Sequence, residues 1–378
     1  MTKRSNEKPA GIPMAAPDIS EADVQAVAEV VRSGRLALGP KTVAFEQLMA
    51  DYVGVKHAVA VSSGTAALHL IVRALGIGPG DEVLVPSFTF AASVNAILYE
   101  RATPVFVDIE PETYNLDPED LERKMTKRTK AIMAVDIFGH PAEWDEILRI
   151  ADKYGLKVID DSCEALGAEY KGRKIGQFGD AAAFAFYPNK QMTTGEGGII
   201  VTNNDDIARL ARSMQNQGRG EMGTWLLHER LGYNYRLDEM SAALGLSQLS
   251  RIEEFLNKRE NVASMYSSAL SSIPSVRTPA VKPHVRMSWF VYVVTLEPGL
   301  NRDAVSGELE KRGIPTRGYF SPIHRQPYIK QFIGKTEPLP VTESVADRTL
   351  ALPFFNNLTK RQVQAVASAL AKAVSVAG

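Results

Sequence analysis

The sequence predicts an α/β fold with a largely parallel sheet, followed by a smaller α+β unit, and three observations carry this. Between Lys56 and Val201, short apolar runs alternate with helical patterns. Those runs are apolar at successive positions, as suits strands covered on both faces. After Arg236 the strand signal fades and helical periodicity takes over.

In chain order, Ser20 with Asp23 three residues on, then Val24, Val27, Ala28 and Val31, reads as an N-cap followed by one apolar stripe, stopped by Gly34. HAVAV from His57 is the first strand, and Leu68, Ile71, Val72 and Leu75 form a helical stripe after it. EVLVP, PVFVD, AIMAVDIF, KVIDD, AAFAF and GGIIV are the remaining strands. Asp238 opens a helix running through Leu249 and Ile252 towards Phe255. SWFVYVVTL then reads as a strand, RDAVSGELEKRG as a helix closed by Gly313, and TKRQVQAVASALAKAV as a terminal helix after Thr359. A length of 378 residues favours two domains. We expect a large domain over residues 1–250, whose N-terminal segment packs on the small one, and a small domain over 251–378. The join near 250–260 falls in or beside a helix and is therefore rigid.

Lys plus Arg number 43 and Asp plus Glu 44, a net charge of -1, which argues against nucleic acid or an acidic membrane as the main partner. The single cysteine excludes an intrachain disulfide, and the six histidines lack metal-ligand spacing, so no metal is expected. MTKRSNEKPAGIP carries no apolar core after its basic residues, and no run is long enough to span a bilayer, so a cytoplasmic protein is expected.

Three segments could carry chemistry. In Ala183–Gly198 an apolar strand runs into Pro188, delivers Lys190 and leaves through a turn with three glycines before a second apolar strand. An amine held between buried strands can form a Schiff base; a solvated loop lysine is the alternative. Val61 to Ala67 follows a strand and opens a helix, so Gly64 with the amides of Thr65 and Ala66 could hold an anion, or Ser63 or Thr65 could serve as an ordinary N-cap. Asp160, Asp161, Cys163 and Glu164 end a strand, where ligands of open α/β sheets sit. Strand alternation sends the two aspartates to opposite faces, so only one should reach a site, and Cys163 reads as a small core residue. A phosphate nest, a strand-end carboxylate and a lysine between strands are together what pyridoxal phosphate requires.

From GPKTVAFEQLMADYVGVKHAVAVSSGTAALHL through LGYNYRLDEMSAALGLSQL to GIPTRGYFSPIH, the chain resembles the DegT/DnrJ/EryC1/StrS sugar aminotransferases of fold type I. The resemblance implies a mainly parallel seven-stranded sheet between helices, with a smaller C-terminal domain. It makes Lys190 the residue that holds pyridoxal phosphate as an imine and moves the proton. Asp161 becomes the partner of the pyridinium nitrogen, leaving Asp160 structural. Phe88 matches the aromatic that stacks on the ring, and Gly64, Thr65 and Ala66 match the phosphate loop. Asn234 resembles an asparagine that reaches the phosphate of a neighbouring subunit, implying a homodimer with shared sites. Glu164 stands where many members have glutamine, and Ala185 where many have serine. Arg219 and His324 lie in segments that border the site in relatives.

A histidine-bearing sister group removes a hydroxyl instead; Lys190 argues against that outcome. TTGEGG after the lysine resembles members acting on nucleotide-linked 4-keto sugars. The expected reaction is amine transfer from glutamate to such a sugar. A 3-keto sugar or aminocyclitol ketone is the alternative acceptor, and a pyridoxal-phosphate-binding regulator the alternative class.

Overall fold

The computed structural model describes residues 11–220, 227–334 and 336–377. Its central sheet takes seven strands: β1 (His57–Val61), β2 (Glu82–Pro86), β3 (Thr103–Val107), β4 (Thr129–Val135), β5 (Lys157–Asp161), β6 (Ala181–Ala185) and β7 (Gly198–Thr202). They lie in the order β1-β7-β6-β5-β4-β2-β3, parallel throughout except where β7 runs against both β1 and β6. The sheet is doubly covered. Ala58, Leu84, Ile132, Val158 and Phe184 pack into one core, while Val59, Val85, Met133, Ile159 and Ala183 pack into another on the opposite face. This is why these runs carry no polar alternation.

Helices α1 (Glu21–Ser33), α2 (Pro40–Val53), α3 (Gly64–Ala74) and α4 (Ala91–Tyr99) accompany the early strands. Ser20 and Asp23 close the expected capping box, and Gly34 ends α1 with φ 71. Further along lie α5 (Pro118–Arg123), α6 (Trp144–Tyr154), α7 (Asp205–Gln215), α8 (Glu239–Leu249) and α9 (Ile252–Leu270). The continuous helix expected from Asp238 to Phe255 is broken at Ser250 and Arg251. Arg251 leaves the helical region at φ -113, and its guanidinium turns back to Asp23 Oδ2 at 2.6 Å.

A second, antiparallel sheet joins β8 (Val276–Arg277), β9 (Tyr292–Leu296) and β10 (Thr349–Leu352) in that order. Its core contains Tyr266, Tyr292, Leu350, Val366 and Leu370, drawn also from α9 and from the terminal helix Lys360–Ala377, and it continues into Phe88, Tyr114 and Phe138. SWFVYVVTL pairs as a strand only from Tyr292. Trp289 adopts φ 53, and its neighbours bond elsewhere, the Ser288 amide to the Gly139 carbonyl and the Phe290 amide to that of Phe138. The N-terminal stretch runs along this second core: the Phe354 amide donates to the Met14 carbonyl at 3.0 Å, and Lys258 pairs with Asp18 at 2.9 Å. Among the described residues no helix is long and apolar enough to cross a membrane.

Candidate active site

The carboxyl ends of β1, β2, β5 and β6 surround a cavity of about 420 Å³, closed by the turn before β7 and by Phe290, Tyr319 and Phe320. Each strand end delivers one part of it, as expected at the switch points of an open α/β sheet.

From β1, Ser63 caps α3: its Oγ accepts from the Ala66 amide at 3.1 Å. Gly64 and Thr65 line the cavity; Ala66 does not, because its amide is already taken by the cap. The backbone at Gly64 is bare for a steric reason. A Cβ there would come within 2.7 Å of the Ala185 Cβ and 2.9 Å of the Cys163 sulfur. Ala185, where a serine is common, is therefore the wall against which this turn is seated.

From β5, the two aspartates part as alternation requires. Asp161, 4% exposed, lines the cavity and accepts from Ser93 Oγ at 2.6 Å and from the Cys163 amide at 3.2 Å. Asp160 turns to the other face, where Ser162 and the Gly176 amide bond it. Glu164 lies beside them, buried, with Oε2 accepting from the Phe138 amide at 3.0 Å and Oε1 3.5 Å from Lys190 Nζ. Burial raises its carboxyl above the ordinary value, and the Lys190 charge opposes the rise. Cys163 also lines the cavity, but burial pushes its thiol well above the usual value, so it is a packing residue and not a nucleophile.

From β6, the chain passes Tyr187 and Asn189 and delivers Lys190, whose Nζ sits 3.9 Å from the Phe290 ring centre. Asn189 Oδ1 is buried without a hydrogen-bond partner. Lys190, Asp161, Glu164, Gly64 and Thr65 thus meet in one cavity.

Other expectations are placed elsewhere. Phe88 is fully buried and does not line the cavity; its ring meets Tyr114, Phe138 and Phe320 edge-on. Phe90, two residues on, is 62% exposed and lines it. The chain leaves β2 at Pro86, and by Phe90 it has turned out over the cavity mouth. Asn234 is exposed, its backbone bridged to Asn216, outside its own chain's cavity. Arg219 is bridged to His228 and borders a separate depression with His57 and Arg212. His324 is buried between Ser87 Oγ at 2.7 Å and Glu343 Oε1 at 3.2 Å, and burial keeps its imidazole below the ordinary value. It is a bonded structural histidine and does not line the cavity. Sequence reasoning missed Phe90, Ser93, Tyr187, Asn189, Phe290, Tyr319 and Phe320 as cavity residues.

Residues 17–371 match the DegT/DnrJ/EryC1/StrS aminotransferase family. GDP-perosamine synthase of Caulobacter vibrioides is 43% identical over 340 residues, 88% of this chain and 90% of that protein. The spore coat polysaccharide biosynthesis protein SpsC of Bacillus subtilis is 38% identical over 373 residues, 95% and 96% of the two chains. DesV of S. venezuelae, solved with a ketimine intermediate, superimposes with a TM-score of 0.89 at 36% identity, covering 96% of this chain and 98% of that one. Matched along nearly its whole length in sequence and in backbone, the chain belongs to the DegT/DnrJ/EryC1/StrS aminotransferase family and is a pyridoxal-phosphate-dependent aminotransferase of fold type I.

Proposed function

We propose that the enzyme moves an amine from glutamate to the C4 ketone of a nucleotide-linked deoxysugar, in the cytoplasm, for amino-sugar or surface-polysaccharide synthesis. The observation that carries this is the convergence of Lys190, Asp161 and the N-terminus of α3 on one cavity, in a chain whose relatives include GDP-perosamine synthases. We assign cofactor binding to residues 1–250 and closure of the site to residues 251–378, which supply Phe290, Tyr319 and Phe320.

The residues fit pyridoxal phosphate. The turn at Gly64 is sterically denied a side chain, the strand-end carboxylate is ready to accept a proton-bearing nitrogen, and a lysine amine lies in the same space. When bound, the cofactor supplies an aldehyde that condenses with amines and a ring that accepts electrons.

The chain does the rest. The N-terminus of α3, with Ser63, Gly64 and Thr65, would hold the phosphate. Asp161, held by Ser93 and by the Cys163 amide, keeps a proton on the ring nitrogen. Phe90 is the aromatic available to cover the ring, the role first given to Phe88. Lys190 would hold the cofactor through its amine, and it is the group in this cavity that could carry a proton. Glu164, 3.5 Å away, would hold the amine of Lys190 in place. Phe320 and Tyr319 narrow the mouth and limit water. Asn234, exposed and outside its own cavity, serves a second copy, so the active unit is a homodimer.

The test uses purified protein with pyridoxal phosphate. It should show the visible absorbance of the lysine-bound cofactor, lose it in Lys190→Ala, and transfer amine from glutamate to a nucleotide-linked 4-keto deoxysugar, scored by product mass. Turnover of 3-keto sugars or aminocyclitol ketones alone would overturn the C4 assignment. No loss of the band with any amino acid would indicate a regulator.

A further inference from the structure

Behind the reactive lysine lies a buried cation. Arg259 on α9 is 2% exposed, yet among the described residues no carboxylate pairs with it. Its hydrogen-bond partners are three backbone carbonyls, and the Phe354 ring lies 5.5 Å from its Cζ. Nη2 donates to that of Lys190 at 2.9 Å, and Nη1 donates to those of Trp289 at 2.9 Å and Phe290 at 3.2 Å. Its Nε is buried without a partner. Burial lowers the guanidinium to about 10, against the opposing charge of Asp18. Holding a cation there without a paired carboxylate is costly, so a purely structural contact would be better made by a neutral donor.

What the guanidinium joins is informative. One of its ends holds the main chain of Lys190, and the other holds the segment whose Phe290 ring lies 3.9 Å beneath the Lys190 amine. That segment is strained: Trp289 takes φ 53, a left-handed conformation that a bulky side chain rarely adopts. The adjacent residue of α9, Glu260, grips the same tryptophan, accepting from its indole Nε1 at 2.6 Å. A second tie runs parallel, with Gln191 Nε2 donating to the Glu164 carbonyl at 2.6 Å and to Ser288 Oγ at 2.9 Å. The lysine and the aromatic under it are thus located by one rigid planar group, across about 100 residues of sequence.

We infer that Arg259 is a positioning residue for amino transfer: its fork fixes the Lys190 backbone against the Phe290 ring, so that the amine is held at the cofactor while it carries protons. This rests on the reading of Lys190 given above. Lysine is not an equivalent replacement, because a single ammonium cannot present two donor edges to carbonyls of two segments in a fixed plane.

The experiment follows the holoenzyme of Arg259→Lys and, separately, Phe290→Leu by pH titration of the visible cofactor band, by steady-state kinetics with glutamate and by thermal unfolding. Arg259→Lys should move the titration midpoint by at least about 0.5 pH unit and lower kcat roughly tenfold, with KM for glutamate changed less than about threefold. Phe290→Leu should move the midpoint without touching the arginine. Wild-type midpoint and kcat in Arg259→Lys, with only a lower Tm, would overturn the proposal. If that variant does not fold, an unmoved midpoint in Phe290→Leu does so. A wild-type protein with no visible band would instead overturn the assignment of Lys190 itself.

Discussion

Lys190 and Glu164 face each other at 3.5 Å inside the cavity, their side chains only 13% and 7% exposed. An anion in this position favours the protonated form of whatever nitrogen the lysine bears. Glu164→Gln removes the charge while keeping the shape, so the lysine-bound cofactor should lose its proton at a pH lower by about 0.5–1.5 units. Spectrophotometric titration of the two holoenzymes measures this; an unchanged or raised midpoint would contradict it.

Asp161 is held by one short bond from Ser93 and one from the Cys163 amide. Ser93→Ala should weaken cofactor retention by roughly tenfold, the worth of a hydrogen bond to a charged group. Asp161→Asn should lower kcat at least about a hundredfold, since a neutral amide cannot stabilise a protonated ring nitrogen. Equilibrium dialysis against free cofactor and single-turnover rates separate the two effects.

Gly64→Ala tests the cradle. The new methyl would press on Ala185 and the Cys163 sulfur, so the turn must shift by several tenths of an ångström. Cofactor affinity should fall at least about tenfold with little change in the Tm of the cofactor-free protein, because the displaced atoms belong to the site. Calorimetric titration of cofactor into both forms checks it.

Phe88 and Phe90 should behave oppositely. Phe88→Ala empties a fully buried position and should cost about 3–5 kcal/mol of stability. Phe90→Ala, exposed at the cavity mouth, should leave the unfolding midpoint nearly unchanged and weaken cofactor binding. Denaturant curves and cofactor titration on the same two proteins decide it.

On the far face of β5, burial raises the carboxyls of Asp136, to about 7, and of Asp160, which also feels its neighbour's charge. Ser162 bonds both, and Asp136 Oδ1 accepts from the Ala142 amide at 2.7 Å and from Trp144 Nε1 at 3.1 Å. A carboxyl whose folded value is raised stabilises the fold while it keeps its proton, and that contribution is lost as pH climbs through the folded value. The Tm should therefore fall progressively from about pH 4, the ordinary carboxyl range, to about pH 7, the folded value of Asp136. Asp160→Asn, which carries its own donor, should flatten that slope in scanning calorimetry.

The sheet was legible because its strands are buried on both faces, a pattern that no exposed element imitates. Period-two alternation told that only one of Asp160 and Asp161 reaches the site, and the family resemblance told which. Phe88 was chosen by resemblance from a segment that holds two aromatics, and past Pro86 no strand alternation tells which of them turns to the cavity. Phe290, Tyr319 and Phe320 lie far along the chain and look like ordinary core aromatics until the fold brings them round. Arg259 gave no signal, since a lone arginine in an amphipathic helix reads as solvent-facing. Arg219 and His324 entered by neighbourhood to motifs, and neighbourhood in sequence did not become neighbourhood in space.

The position of β1 at the sheet edge has a temporal consequence. Its one neighbour in the sheet is β7, pairing Val61 with Gly198, so the strand that presents Ser63 and Gly64 has nothing to pair with until β7 has been made. Phe290, Tyr319 and Phe320 emerge later still. A chain truncated before β7 thus lacks both the strand that pairs with β1 and the aromatic residues that roof the cavity.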